Sequence, residues 1–345
     1  MAFLVQVAGD AGAALGGMSV SLGDRFGLYG IMAGAGALTS EQLAARAGLH
    51  ERYIREWLAG QAALGYVEYD PATKSFTLPA VHAAVLADPM APTYLAGAFQ
   101  MLSAVYTTED DLYRGFRDGT GVGWDEHSDA LYSGTAKLFR PGYLANLVAE
   151  WLPAMEGVMD KLRNGALVAD VGCGFGHSTL ILADAFPEST VVGFDYHQKS
   201  IDVARQLATE GGHGDNVRFE VAAADAFAGS GYDLVTCFDC VHDMGDPAAL
   251  ASRVRSALDD DGTWMLVEPN ATGRLEEDLQ SPFAKMFMGA STVVCLPSAI
   301  AQNGPEQLGN HAGEDAMRAI VMAAGFSRWR RATENPINAV FEARP

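Results

Sequence analysis

The run Asp170-Val-Gly172-Cys-Gly174-Phe-Gly176 sets one carboxylate before three glycines at alternate positions, with His177 and Ser178 following. Glycines so spaced let a backbone adopt dihedrals closed to other residues and approach a ligand closely. Leu167-Val-Ala169 before the run reads as a strand, and Ser178 to Phe186 after it reads as an amphipathic helix. Open α/β sheets bind their ligands at turns of this kind. The spacing is G-x-G-x-G, not the G-x-G-x-x-G of dinucleotide-binding folds. Asp170 stands where a carboxylate can hold a cationic amino group, and a pyrophosphate would not welcome it there.

Further strand ends carry matching chemistry. Asp195 closes the next apolar strand, Thr190-Val-Val-Gly-Phe194, where a carboxylate can accept both hydroxyls of a ribose, and Tyr196 can pack on an adenine. Asp225 and Ala226 follow the strand Val217–Val221, with Asp225 placed to contact an adenine amino group. Phe238 and Asp239 end the strand Leu234–Phe238. A fifth strand, Thr263–Val267, leads to Glu268. Helices alternate with these strands, which argues for a mainly parallel sheet covered on both faces. A last helix, Gly313 to Ala324, precedes Trp329–Ala332 and Asn338–Glu342, which read as a closing antiparallel hairpin.

The front of the chain differs. Thr39 or Ser40 can cap a helix that Gly48 ends, and His50 to Leu64 places Ile54, Trp57, Leu58 and Leu64 on one side of a second. Gly65 to Leu78 then alternates around Asp70-Pro71 as a β-hairpin. Helix, turn, helix and hairpin together read as a winged helix. From Ser40 to Pro79 there are four basic and five acidic side chains, whereas nucleic-acid modules are usually basic. A dimerisation role is therefore expected in place of DNA binding. The expected organisation is residues 1–95 as winged helix, 96–160 as a helical linker and pocket wall, and 161–345 as the ligand-binding domain.

The 345 residues, 49% of them hydrophobic, suffice for two cores. With 23 basic against 43 acidic side chains the formal net charge is −20, a surface that repels nucleic acids and anionic lipids. No apolar run is expected to span a bilayer, for which roughly 20 residues are needed. The N-terminus lacks the basic stretch of a secretory signal, and four scattered cysteines make no disulfide framework, so a cytoplasmic protein is expected.

Over its second half the sequence resembles the class I methyltransferases. With the winged-helix front it resembles the two-domain small-molecule methyltransferases that include the plant phenolic O-methyltransferases and bacterial relatives carrying a His-Asp-Met-Gly-Asp-Pro run, here His242 to Pro247. The resemblance implies S-adenosylmethionine as cofactor, a homodimer built through the front domain, and a small organic acceptor of secondary metabolism. It makes His242 of the His242-Asp243 pair the general base, with a side chain suited to work near neutrality. Glu268 matches a carboxylate flanking that base. The family's second flanking Glu falls at or near His311, so the pattern is broken there. Trp124, Tyr132, Phe139 and Tyr143 suit the wall of a pocket for a flat acceptor, and aromatic residues equally fill cores.

Some relatives methylate carbon with a bound metal, using a second His in a segment before Leu-Pro. The matching segment here, Met288 to Pro297, has none, so no metal is expected. Cys237-Phe-Asp-Cys240 is a C-x-x-C without a second pair, which argues against zinc there. The expected function is methyl transfer to a small acceptor, at oxygen with His242 as base. Transfer to carbon or nitrogen, a non-methylating use of the cofactor, and a DNA-binding ligand sensor are the alternatives.

Overall fold

Local sequence chemistry sets the front elements. Thr39 caps the helix Ser40–Ala47 through a capping box with Gln42, and Gly48 ends it in the left-handed region at φ 67°. His50 caps the helix Glu51–Ala63, its Nδ1 accepting from the Arg52 backbone N–H at 3.3 Å. The hairpin follows as β1 (Glu68–Asp70) paired antiparallel with β2 (Ser75–Thr77). Leu43, Ile54, Trp57, Leu58 and Phe76 form one core with Tyr29 and Met32 from upstream. The winged helix expected from sequence is present.

The computed structural model describes every residue from Met1 to Pro345. It divides into a front unit of residues 1–106 and 128–144 and a second unit of residues 107–127 and 145–345. The stretch 96–160, expected as a separate linker, is thus shared between the two units.

A helix of 24 residues, Ala2–Arg25, opens the front unit. Its later half packs closely through glycines: a Cβ on Gly23 would meet Trp57 at 2.6 Å, and one on Gly16 would meet Leu64 at 2.7 Å. Trp57 Nε1 donates to the Ser19 carbonyl at 2.8 Å, and Asp24 accepts from Tyr94 at 2.5 Å and Lys137 at 2.7 Å. Residues 1–15 of the chain are all exposed. By length and composition this helix and the 18-residue helix 284–301 are apolar enough to cross a membrane. That corrects the expectation that no such run exists, because glycine, alanine and a single Asp10 mask the first one in the sequence.

The second unit is built on seven strands: β3 (Leu167–Val171), β4 (Thr190–Asp195), β5 (Val217–Val221), β6 (Tyr232–Phe238), β7 (Leu258–Pro269), β8 (Arg328–Glu334) and β9 (Asn338–Arg344). Their spatial order is β5-β4-β3-β6-β7-β9-β8. The first five run parallel, and β9 is antiparallel to both β7 and β8. This is the α/β sheet with a closing hairpin that the pattern implies. Order reverses at β3, so β3, β4 and β6 present their carboxyl ends together at the switch point. Val171, Phe194, Val235, Leu250, Val254, Trp264, Leu266 and Phe341 belong to one core that holds these ends rigid.

Candidate cofactor and acceptor site

The glycine run folds as a tight strand-to-helix turn. Gly172, Gly174 and Gly176 have φ of 77°, 51° and 75°, which only glycine adopts without strain. The Gly172 and Cys173 N–H groups donate to the Phe194 carbonyl at 2.8 and 3.0 Å, which binds the turn to β4. A Cβ on Gly174 would meet nothing within 4 Å, so this face of the turn is open to a ligand.

Asp170 stands in β3 just before the turn. It is fully buried, and Ser178 and Thr179 both donate to its Oδ2 at 2.6 Å while Thr236 donates to Oδ1 at 3.0 Å. Burial raises its pKa, and the three hydroxyls oppose that rise. The carboxylate therefore ties the turn to β6 and to the helix His177–Ala185. Replacing Asp170 by Ala strands three buried hydroxyls and should destabilise the domain by about 3 kcal/mol. Urea unfolding against Asp170→Asn, which keeps one acceptor oxygen, measures the loss; equal midpoints for the Ala variant and wild type would refute this role.

Asp195 closes β4 at the open side of the turn. Its Oδ2 accepts from Gly174 N–H and its Oδ1 from His197 N–H, each at 2.9 Å. Burial raises its pKa against those two bonds. Each oxygen retains a lone pair for a further donor. Tyr196 beside it is 45% exposed. Asp225 and Ala226 are exposed in a turn after β5, which Arg253 fixes by donating to the Phe227 carbonyl at 2.8 Å.

At the end of β6, Phe238 is buried and stacks on Trp151 with centroids 6.2 Å apart. Asp239 has a left-handed backbone at φ 49°, uncommon outside glycine. Its Oδ1 accepts from Asn338 Nδ2 at 2.7 Å, while Oδ2 is buried without a hydrogen-bond partner. Burial and the Glu268 charge push this carboxyl well above the usual range. An open glycine turn, a ribose-ready carboxylate and an orphaned buried acid fit a cofactor with a ribose and a cationic amino acid end.

The acceptor side is centred on His242, in a short 3₁₀ turn Val241–Asp243 directly after β6. Glu268, near the end of β7, is 3% exposed. Its Oε1 accepts from the Val241 N–H at 2.9 Å, and its Oε2 lies 2.5 Å from His242 Nδ1. His242 Nε2 lies 3.1 Å from Asp243 Oδ1. Burial works against an imidazolium, but the Asp243 and Glu268 charges outweigh it and hold the pKa well above the ordinary histidine value. Asp246 caps the following helix, accepting from Ala249 N–H at 2.8 Å, with Pro247 in its first turn. Gln302 grips the loop, donating to the Asp243 carbonyl at 2.7 Å and accepting from Gly245 N–H at 3.1 Å.

Two neighbours of His242 escape sequence reasoning. A small cavity beside His242 and Glu268 is lined by Pro269, Asn310, Gly313, Met317 and Phe341 among others. Asn310, 5% exposed, occupies this cavity wall, while the expected His311 is half-buried next to it and outside the lining. The other neighbour is Cys295. The helix 284–301 widens into a π turn over Ser291–Cys295, just before Pro297, whose missing N–H loosens the ladder. The His242, Asp243 and Cys295 donor atoms thereby come within 4.8 Å of one another. Of the expected pocket aromatics, Tyr132, Phe139 and Tyr143 lie on the helix Asp129–Asn146 in the front unit, with Phe139 and Tyr143 stacked at 6.2 Å. Trp124 is half-buried in the second unit.

Comparison with known proteins bears on both parts of the chain. Residues 13–88 match the Rv2258c-like winged HTH domain, and residues 162–318 match the methyltransferase domain. The ubiquinone biosynthesis O-methyltransferase of Leptothrix cholodnii is 33% identical over 150 residues, which are 42% of this chain and 56% of that protein. The chain thus spans about half the length of the curated relatives it matches. Human N-acetylserotonin methyltransferase, solved with S-adenosylmethionine, superposes with a TM-score of 0.72 at 15% identity, covering 100% of this chain and 97% of that one. NcsB1, an O-methyltransferase from neocarzinostatin biosynthesis solved with S-adenosylmethionine and 2-hydroxy-5-methyl naphthoic acid, superposes with a TM-score of 0.60 at 15% identity over 95% of each chain. At such identities the likeness is one of fold.

Proposed function

We propose that this chain, an S-adenosylmethionine-dependent methyltransferase domain behind a winged helix-turn-helix domain, methylates a hydroxyl oxygen of a small organic acceptor with His242 as general base. The observation that carries the reading is the buried Glu268–His242 pair at 2.5 Å, set at the end of β6 one turn from Asp239. When bound, the cofactor supplies an electrophilic methyl group on a sulfonium.

The residues of the chain do the rest. Asp195 holds the ribose hydroxyls, Tyr196 covers the adenine, and Asp225 with Ala226 borders its amino edge. The open turn Gly172–Gly176 lets backbone approach, with Asp170 bracing it from below. Asp239 offers its unpartnered Oδ2 to the cationic amino acid end, and Phe238 closes the wall. Glu268 fixes the imidazole through Nδ1–H; the Nε2 proton shared with Asp243 passes to solvent as the acceptor hydroxyl takes the place of Asp243, and Nε2 then takes the acceptor proton. Buried placement keeps water from competing for the methyl group. Arg52 and Arg55 on the second helix of the winged helix are paired with Glu56 and Glu51, which favours a small metabolite over nucleic acid.

An acceptor screen tests this reading. The protein is incubated with S-adenosylmethionine and panels of phenols, alcohols, amines and keto acids, and S-adenosylhomocysteine release is followed. Release with a hydroxyl acceptor, and a product whose new methyl is on oxygen by NMR, is the expected result. A product methylated on carbon or nitrogen, or none across the panels, overturns it.

The front helix supports a homodimer. Leu4, Val7, Ala11, Leu15, Met18 and Leu22 recur every three or four residues and are all exposed, Leu15 by 79%. Arg25 is its only basic residue, so the stripe suits a second copy better than an anionic membrane surface. Each leucine covered contributes roughly 1.5–3 kcal/mol. Sedimentation should show a dimer that Leu4→Glu with Leu15→Glu converts to monomer; a monomeric wild type contradicts the assignment.

A further inference from the structure

We propose that Gln302 is a positioning residue for the turn that carries His242: its carboxamide clamps the loop after β6, so that Asp243 stays against the imidazole and the imidazole stays aimed. The effect on turnover rests on His242 acting as base, whereas the effect on the imidazole itself stands without that reading.

The carboxamide uses both of its ends. Nε2 donates to the Asp243 carbonyl at 2.7 Å and to the Ser298 carbonyl at 3.1 Å, while Oε1 accepts from the Gly245 N–H at 3.1 Å. Two carbonyls around the nitrogen and an N–H at the oxygen fix which way the amide faces. Ser298 lies one turn back in the helix 284–301, which anchors the clamp on a regular element. The backbone beyond Gln302 closes the same joint. The Glu306 N–H donates to the Gly245 carbonyl at 3.1 Å, and a Cβ on Gly304 would overlap that carbonyl. A Cβ on Gly245 would meet Gln302 Cβ at 2.8 Å, so glycine at both positions permits the close approach.

The clamp bears on the residues just before it in the loop. Within the turn Val241–Asp243, the Asp243 carboxylate lies 3.1 Å from His242 Nε2. Gln302 holds the carbonyl of Asp243 and the N–H two residues on, which pins the backbone on both sides of Met244. Asp243 therefore gives way to an acceptor hydroxyl by side-chain rotation while the backbone stays in place. The groups that face His242 are Asp243 from its own turn, Glu268 from β7, Asp239 from the end of β6 and the Cys295 thiol from the helix 284–301. Burial opposes an imidazolium, and Asp243 is the leading charge that favours it. Gln302 carries no charge, so a neutral replacement acts on His242 by moving the groups around it.

Full-length protein labelled at histidine and titrated by NMR, without cofactor or acceptor, tests the clamp; loss of a signal in His242→Ala identifies His242. In Gln302→Met, which removes the amide at similar volume, the His242 pKa should fall toward the ordinary histidine value. The same substitution should cause no further fall in Asp243→Asn, where the charge it releases is already gone. Gln302→Asn keeps the amide on a shorter stem and should shift His242 in the same direction. With a hydroxyl acceptor, kcat of Gln302→Met on the alkaline side of the His242 transition should drop about 10–100-fold. The acid limb of its pH–rate profile should move to lower pH, and KM for S-adenosylmethionine should hold. Circular dichroism and S-adenosylhomocysteine binding establish that each variant is folded. An unshifted His242 in both Gln302 variants, or an equal shift with and without the Asp243 charge, overturns the clamp. A shifted His242 with undiminished kcat overturns its part in turnover. Absence of any oxygen-methylated product overturns the general-base reading, and the NMR result then decides the clamp by itself.

Discussion

His242→Ala should lower methyl transfer to a hydroxyl acceptor about 10²–10⁴-fold, the range a positioned general base contributes. Sulfonium methyl transfer is an in-line displacement in which positioning supplies much of the acceleration, so residual turnover remains. S-adenosylmethionine affinity should be unchanged, because His242 bonds to Glu268 and Asp243 and to none of the cofactor turn. Glu268→Gln should fall between wild type and His242→Ala, since it keeps an oxygen toward Val241 N–H but loses the charge facing Nδ1. Steady-state rates at saturating cofactor measure both effects. Wild-type turnover in His242→Ala with an un-ionised hydroxyl acceptor contradicts the assignment.

Asp195→Ala should weaken S-adenosylmethionine binding about 100-fold or more. A hydrogen bond to a charged acceptor contributes about 1.5–3 kcal/mol, and two ribose hydroxyls lose theirs together. The turn also suffers, because Gly174 N–H and His197 N–H lose their shared acceptor. Asp195→Asn keeps one acceptor oxygen and should lie between the two. Calorimetry on the three proteins reads the series, and equal affinities would remove Asp195 from the site.

The cofactor half of the site was legible because its chemistry sits at strand ends. Period and composition locate β3, β4, β5 and β6, and the residue after each strand is then placed by topology alone. Asp170 shows the limit of that logic. Its position is as expected, but which oxygen meets which hydroxyl depends on Thr236 arriving from the neighbouring strand. Cys295 escapes sequence reasoning because a π turn before Pro297 leaves no periodic signature. Asn310 and His311 differ by one position, within the accuracy of counting back from the last helix through an irregular loop. The front helix was hidden for another reason: small residues carry little periodic contrast, and an apolar stripe on an exposed face looks the same in sequence as a buried one.

The most direct test of the central claim is calorimetric titration of the wild-type protein with S-adenosylmethionine and S-adenosylhomocysteine. The account predicts saturable binding of both at one site per chain, with the affinity collapsing in Asp195→Ala. Absence of binding to either ligand by folded wild-type protein would contradict it.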